Sequence, residues 1–176
     1  MNTEEIVTDL MDRHGTSILR LAYSYVRNKQ TAEDLSQEIF IKCYQKMDTF
    51  QGESKIETWL YRLAVNHCKD YVKSWHYRKV HVTGVISSLF SGEQASTESQ
   101  VMKEFAQHDL LEQILALPLK YKEVILLYYF HDFSLKEISE INNLNINTVK
   151  TRIVKAKELL KKSISERGEY YGQQNT

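Results

Sequence analysis

The sequence predicts an all-α protein: two small helical domains joined by a flexible linker, the second containing a helix-turn-helix. Three observations predict this class. Apolar residues recur at helical spacing in both halves of the chain, and no alternating strand pattern interrupts them. A stretch bearing Ser and Gly, without a regular period, separates the halves. Finally, Ser134 to Lys162, SLKEISEINNLNINTVKTRIVKAKELLKK, has the layout of two helices around an Asn-rich turn.

Composition supports a packed protein. The chain has 176 residues, 42% of them apolar, enough for a hydrophobic core. It has no apolar run of membrane-spanning length and no signal-peptide layout, so a cytoplasmic protein is expected and a membrane protein is not. Cys43 and Cys68 are isolated, form no CxxC pair and fall on apolar helix faces. They read as two buried thiols rather than a disulfide or a metal pair.

In the first domain, residues 1–79, helix one is expected from Thr3 to Lys29. Its buried stripe is Ile6, Leu10, Ile18, Leu21, Ala22, Tyr25 and Val26. Helix two is expected to start at an N-cap Thr31, with Leu35, Ile39, Phe40, Cys43, Tyr44 and Met47 on its apolar face. A loop with Gly52 follows. Helix three is expected from Ser54, with Glu57 completing a capping box. Leu60, Leu63, Ala64, His67, Tyr71 and Trp75 follow at helical spacing. Trp59 reads as core; Trp75 is open to a core or a stacking role.

Residues 80–100 read as a linker whose centre, Val85 to Phe90, is apolar enough to dock on a partner surface. The second domain is expected over residues 101–167, with a tail at 168–176. Pro118, the only proline, ends a helix at Leu117. Tyr121 to His131 is apolar nearly all round and is expected at the centre of this domain. Ser134 with Glu137 forms a capping box, and Leu135, Ile138 and Ile141 form the stripe of the helix it opens. Asn142, Asn143 and Asn145 suit a tight turn. The second helix begins at about Ile146, with Val149, Ile153, Ala156, Leu159 and Leu160 on one face.

Net charge is zero but unevenly spread. From Asn142 to Arg167 there are seven cations (150, 152, 155, 157, 161, 162, 167) against Glu158 and Glu166. From Tyr61 to Lys79 there are five (62, 69, 73, 78, 79) against Asp70. Cations beside an apolar stripe are what major-groove docking requires, although a solvated face on a bundle helix has the same pattern. A balanced chain binds DNA weakly alone and fits one that binds it beside a partner.

Three segments together carry a family resemblance: AEDLSQEIFIKCY (Ala32 to Tyr44), FQGESKIETWLYRLAVNHCKDYVK (Phe50 to Lys73), and LPLKYKEVILLYYFHDFSLKEISEINNLNINTVKTRIVKAKELL. They resemble extracytoplasmic-function (ECF) sigma factors, the two-domain initiation subunits of bacterial RNA polymerase. The resemblance covers roughly residues 10 to 165. The middle segment is its most specific part, with F-x-G-x-S-x-x-x-T-W-L followed by A-x-N.

The resemblance implies a division of labour. Domain 2, the first helical unit, would bind core polymerase (β′ and β subunits) and open the minus-ten element. Its docking face on the β′ coiled-coil would be Asp34, Gln37, Glu38, Ile41 and Lys42. Minus-ten DNA would meet Gln51, Gly52, Glu53 and Ser54 of the loop. Arg62, Asn66, Lys69 and Lys73 of helix three would join them; the spacing i, i+4, i+7, i+11 makes these four one stripe. Domain 4, the second unit, would read the minus-thirty-five element through Thr148, Lys150, Thr151, Val154 and Lys155. Lys stands at 150 and 155 where the family often has Arg, which favours phosphate contact over bidentate base reading there. The resemblance further implies control by an anti-sigma factor, and it implies no small-molecule substrate.

Two other classes fit the sequence less well. A response-regulator type of DNA binder would leave the first domain's motifs unexplained. An enzyme finds no support, because the chain lacks a Gly-rich phosphate loop and metal-ligand spacing. Its histidines (14, 67, 76, 81, 108, 131) are scattered, and His67 reads as a packed residue. No catalytic, cofactor or metal site is expected.

Overall fold

The computed structural model describes residues 2–74 and 108–173, with side chains through 167. The expected linker at 80–100, together with Trp75, Arg78 and Lys79, lies outside the described residues.

Three helices make the first unit. α1, Thr3–Val26, opens with a capping box in which Asn2 and Glu5 each satisfy the other's backbone N–H. It ends earlier than expected because Arg27 is left-handed, φ 54°, and its N–H caps the Tyr23 carbonyl. α2 is Lys29–Lys46. Its N-cap is Asn28, not Thr31: the Asn28 side chain accepts from the Thr31 N–H at 2.9 Å. Asn is the stronger N-cap of the two, and the left-handed Arg27 turns the chain just before it.

α3 is Ile56–Lys73 and departs from expectation at its start. Lys55 holds the N-cap position without a side-chain bond, and the Ser54 hydroxyl donates to the Lys55 carbonyl at 3.3 Å. The capping box fails because Glu57 is engaged elsewhere, accepting from the Arg13 guanidinium at 3.0 Å. A second expectation fails on α2, where Tyr44 is 53% exposed and lies off the apolar face.

α1, α2 and α3 pack together around Leu10, Ile18, Leu21, Leu35, Ile39 and Leu60, all fully buried. Each such side chain contributes about 2 kcal/mol of burial free energy. Trp59 is buried, as expected. Cys43 and Cys68 are buried and free. Burial pushes the Cys43 thiol up to about 11 and, with a smaller push from Glu123, the Cys68 thiol up to about 12.

The second unit begins with a helical stretch at 108–116, here α4. α5 is Leu119–Tyr129, with Pro118 at the N-cap. It starts and ends two residues before the expected helix, since Pro suits a helix start and lacks only an N–H that is unpaired there anyway. Val124 to Leu127 are buried, but Tyr128, Tyr129 and Phe130 emerge at the surface, so the helix is not apolar to the core all round. α6, Leu135–Asn142, opens with the expected Ser134–Glu137 capping box. Left-handed Asn143, φ 52°, makes the turn, while Asn142 remains inside α6. α7, Ile146–Gln173, begins where expected. It continues through most of the expected tail, so residues 168–173 are helical rather than frayed. Val149, Ile153 and Ala156 bury its inner face against α5 and α6; Leu159 and Leu160 are half-buried.

The two units dock on each other. α3 packs against α6, and the buried residues of both units form one cluster. Tyr61 lies edge-on to Phe133, ring centroids 4.6 Å apart, and its hydroxyl is 3.1 Å from Nδ1 of His131. The rim carries ion pairs from Arg27 to Glu112 at 2.8 Å and from Lys55 to Glu137 at 2.9 Å.

Candidate nucleic-acid and partner interfaces

The outer face of α2 follows from its period. Burying Ala32, Leu35, Ile39, Phe40 and Cys43 turns Asp34, Gln37, Glu38 and Ile41 outward. Ile41 is 57% exposed beside Asp34 and Glu38, an apolar spot rimmed by carboxylates. Lys42 is half-buried. Its ammonium donates to Nδ1 of His67 at 2.7 Å, which leaves the ring's proton on Nε2 for Glu38, 2.6 Å away. His67 is therefore more than a packed residue: it ties α3 to two residues of the α2 face.

The loop between α2 and α3 is anchored at its base. Met47 is buried, and the Phe50 ring lies 5.4 Å from that of Trp59. Above this base Gln51, Gly52 and Glu53 are exposed and Ser54 is half-buried. Gly52 has φ 72°, a left-handed value that favours glycine. The loop thus offers polar groups from a fixed platform.

The stripe on α3 splits. Arg62, Asn66 and Lys73 are exposed. Lys69 is not free: its ammonium lies 3.2 Å from the Glu123 carboxylate and 3.2 Å from Oδ1 of Asn142. Glu123 is buried and also accepts from the Tyr25 hydroxyl at 2.8 Å. Burial, and then the charge of Glu123, pushes the Tyr25 phenol well up, so it remains a donor. In this conformation Lys69 holds the two units together and cannot meet a phosphate.

On α7, the second helix of the helix-turn-helix, Lys150, Thr151, Val154 and Lys155 are exposed and Thr148 is half-buried. Val154, 58% exposed, is an apolar side chain held in water, as a contact to a base methyl would need. The Thr151 hydroxyl donates to the Asn147 carbonyl at 2.8 Å, and Lys155 pairs with Glu158 at 3.0 Å. Both members of that pair are more than half exposed, so it is worth well under about 1 kcal/mol and gives way readily. Thr148, Thr151 and Lys155 line an open groove of about 520 Å³ with Lys120, Tyr121, Asn147 and Arg152. Lys120 and Tyr121 come from α5, and no spacing in the sequence links them to α7.

Among the described residues no group of three or more His, Cys, Asp or Glu could hold a metal ion, and no helix is long and apolar enough to cross a membrane.

Comparison with known proteins agrees with this geometry. Residues 10–76 match the family model for Sigma-70 region 2, and residues 107–160 match that for Sigma-70, region 4. The ECF RNA polymerase sigma factor SigW of Bacillus subtilis is 34% identical, the alignment covering 93% of this chain and 91% of SigW. SigV of the same organism is 31% identical over 90% and 91%. The ECF sigma-E factor of Escherichia coli K12 is 30% identical over 86% and 82%. The chain belongs to the ECF sigma factors, which bind core RNA polymerase and promoter DNA and direct transcription initiation. The fold is shared with two solved complexes. One is CnrH with the cytosolic domain of CnrY (TM-score 0.66, 20% identity, 93% of this chain and 90% of that one). The other is the sigma factor RpoE with the anti-sigma factor NepR from Bartonella quintana (TM-score 0.70, 22% identity, 90% and 96%).

Proposed function

We propose that the first unit is the polymerase-docking and promoter-opening domain and the second the minus-thirty-five reader. Asp34, Gln37, Glu38, Ile41 and Lys42 form the docking face. Gln51 to Ser54 with Arg62, Asn66, Lys69 and Lys73 meet minus-ten DNA. Thr148, Lys150, Thr151, Val154 and Lys155 meet minus-thirty-five DNA. One observation carries the reading of the second unit. Three of its five residues line one cationic groove, and the other two are exposed beside it.

The docked arrangement is the resting form in this reading. A compact body of the described residues, about 140 of the chain's 176, has a radius of gyration of about 14 Å. Elements named for positions 25 base pairs apart are separated by roughly 85 Å of duplex, at about 3.4 Å per pair. The docked body is too short to touch both, so the units separate on the promoter and Lys69 leaves Glu123 for DNA.

The protein works in the cytoplasm, supplies no catalytic chemistry of its own, and is held by an anti-sigma factor. The last point is supported by the RpoE–NepR complex, whose fold this chain shares. The test is reconstitution with purified bacterial core polymerase and run-off transcription from promoters selected out of a randomised pool. A one-to-one complex with promoter-dependent transcripts is expected. A chain that binds duplex DNA with the same preference and affinity without polymerase is a different kind of regulator.

A further inference from the structure

We propose that Lys120, at the head of α5, is a DNA-backbone contact that extends the minus-thirty-five footprint beyond the recognition helix, with Arg152 as its partner across the groove. The inference rests on the assignment of α7 as the minus-thirty-five reader.

The groove carries three cations from two elements, Lys120 on α5 and Arg152 and Lys155 on α7. Its other lining residues are Tyr121, Asn147, Thr148 and Thr151, all uncharged. No acid lines it. Among the described residues neither Lys120 nor Arg152 has an ion-pair partner. Lys155 pairs with Glu158 at the edge of the groove, but Lys120 and Arg152 remain two like charges that repel, and an anion placed between them relieves the repulsion. The Lys120 ammonium lies 4.9 Å from the centre of the Tyr121 ring. That cation–π contact sets the charge to one side of the groove instead of leaving it free in solvent.

The groove is continuous with Thr148, Thr151 and Lys155, so duplex seated on α7 brings its backbone past Lys120. A DNA phosphate is the ligand the lining fits. Lys120 itself is a point charge, not a planar fork matched to a base edge. Lys120 therefore raises affinity for every duplex and contributes nothing to the choice among them. Docking of the two units leaves this groove uncovered: Lys120, Asn147, Thr151 and Lys155 are all exposed.

The experiment uses the holoenzyme and a panel of selected promoter duplexes differing at single minus-thirty-five positions, titrated at several salt concentrations. Lys120→Gln should weaken binding to every duplex by one common factor of about three to ten. It should also lower the slope of log affinity against log salt by about one. Lys120→Arg should restore both. Thr151→Ala, Val154→Ala and Lys155→Ala are measured alongside. Unchanged affinity and slope for Lys120→Gln, or a weakened affinity with the slope intact, overturns the inference. So does a changed ranking of the duplexes, which would make Lys120 a base contact. If the three α7 variants also leave the ranking untouched, the minus-thirty-five reading of α7 fails as well. If they change it while Lys120→Gln is silent, only the inference falls.

Discussion

The ammonium of Lys69 lies 3.2 Å from the carboxylate of Glu123, joining the helix assigned to promoter opening to a buried acid of the second unit. Glu123 is only 3% exposed, and the two residues are far apart in the chain. Removing one partner of such a pair leaves the other charge poorly solvated, which costs more than the pair itself contributes. Glu123→Gln keeps the Tyr25 bond and removes only the charge. The docked form should weaken by about 2 kcal/mol. Small-angle scattering of the free protein should then show a larger radius of gyration, with the helix content unchanged. A variant as compact as wild type would mean that Lys69 and Glu123 do not hold the units together.

Acid should loosen the same interface through His131. Burial, and then the charge of Arg20, pushes its ring down to about 4, against an ordinary 6.5, with Asp132 opposing. The folded protein therefore resists protonation that the unfolded chain accepts. Stability is unaffected above about pH 6.5, falls as pH drops from there to about 4, and levels off below. The loss is at most about 3 kcal/mol, reduced by whatever solvent reaches the ring. His14, lowered chiefly by burial, acts in the same direction. Urea unfolding at pH 7 and pH 5 tests this. His131→Gln should flatten the difference, and an unchanged pH dependence in that variant would remove His131 as its source.

The α2 face should tolerate substitution without loss of fold. Asp34, Gln37 and Ile41 are exposed, so Asp34→Arg with Gln37→Ala, or Ile41→Asp alone, should change stability by no more than ~0.5 kcal/mol. Either variant should bind core polymerase at least about tenfold more weakly, a change of about 1.4 kcal/mol. Melting curves and co-elution with core polymerase give both numbers. Normal co-elution would place the docking face elsewhere.

The loop should act after duplex binding. Open space surrounds the position a Cβ would take at Gly52, so a substitution there strains the backbone without a clash. Gly52→Val, with a branched side chain at φ 72°, should cost about 1–2 kcal/mol locally and shift the loop. Duplex binding by the holoenzyme should hold while strand opening falls. Permanganate reactivity of unpaired thymines reads that directly, and wild-type reactivity would show that the loop's shape does not matter for opening.

The helix-turn-helix was legible almost to the residue, because its signals are local. Ser134 and Glu137 are three apart and bond each other, and a single left-handed Asn143 makes the turn. Ser54 and Glu57 carry the same local signal and mislead, since Arg13 on another helix claims the glutamate. Thr31 misled for a nearer reason, a stronger cap three residues before it. The partners of Lys69 and His67 and the placement of Lys120 could not be read from spacing at all. Each is set by a partner on another helix: Glu123 for Lys69, Glu38 and Lys42 for His67, and the α7 groove for Lys120. Periodicity orders residues around one helix and is silent about which helix comes to face it.

Under the proposal that the docked form is the resting one, its interface also sets how this subunit fares against others that share one pool of polymerase. A form that must open before it binds has an apparent affinity reduced by its open fraction. A closing free energy of about 2 kcal/mol leaves about one molecule in thirty open and weakens the apparent affinity by the same factor. The contacts of Lys69, Tyr61 and Arg27 across the interface then act as a rank in that competition, adjustable by substitutions that touch neither polymerase nor DNA.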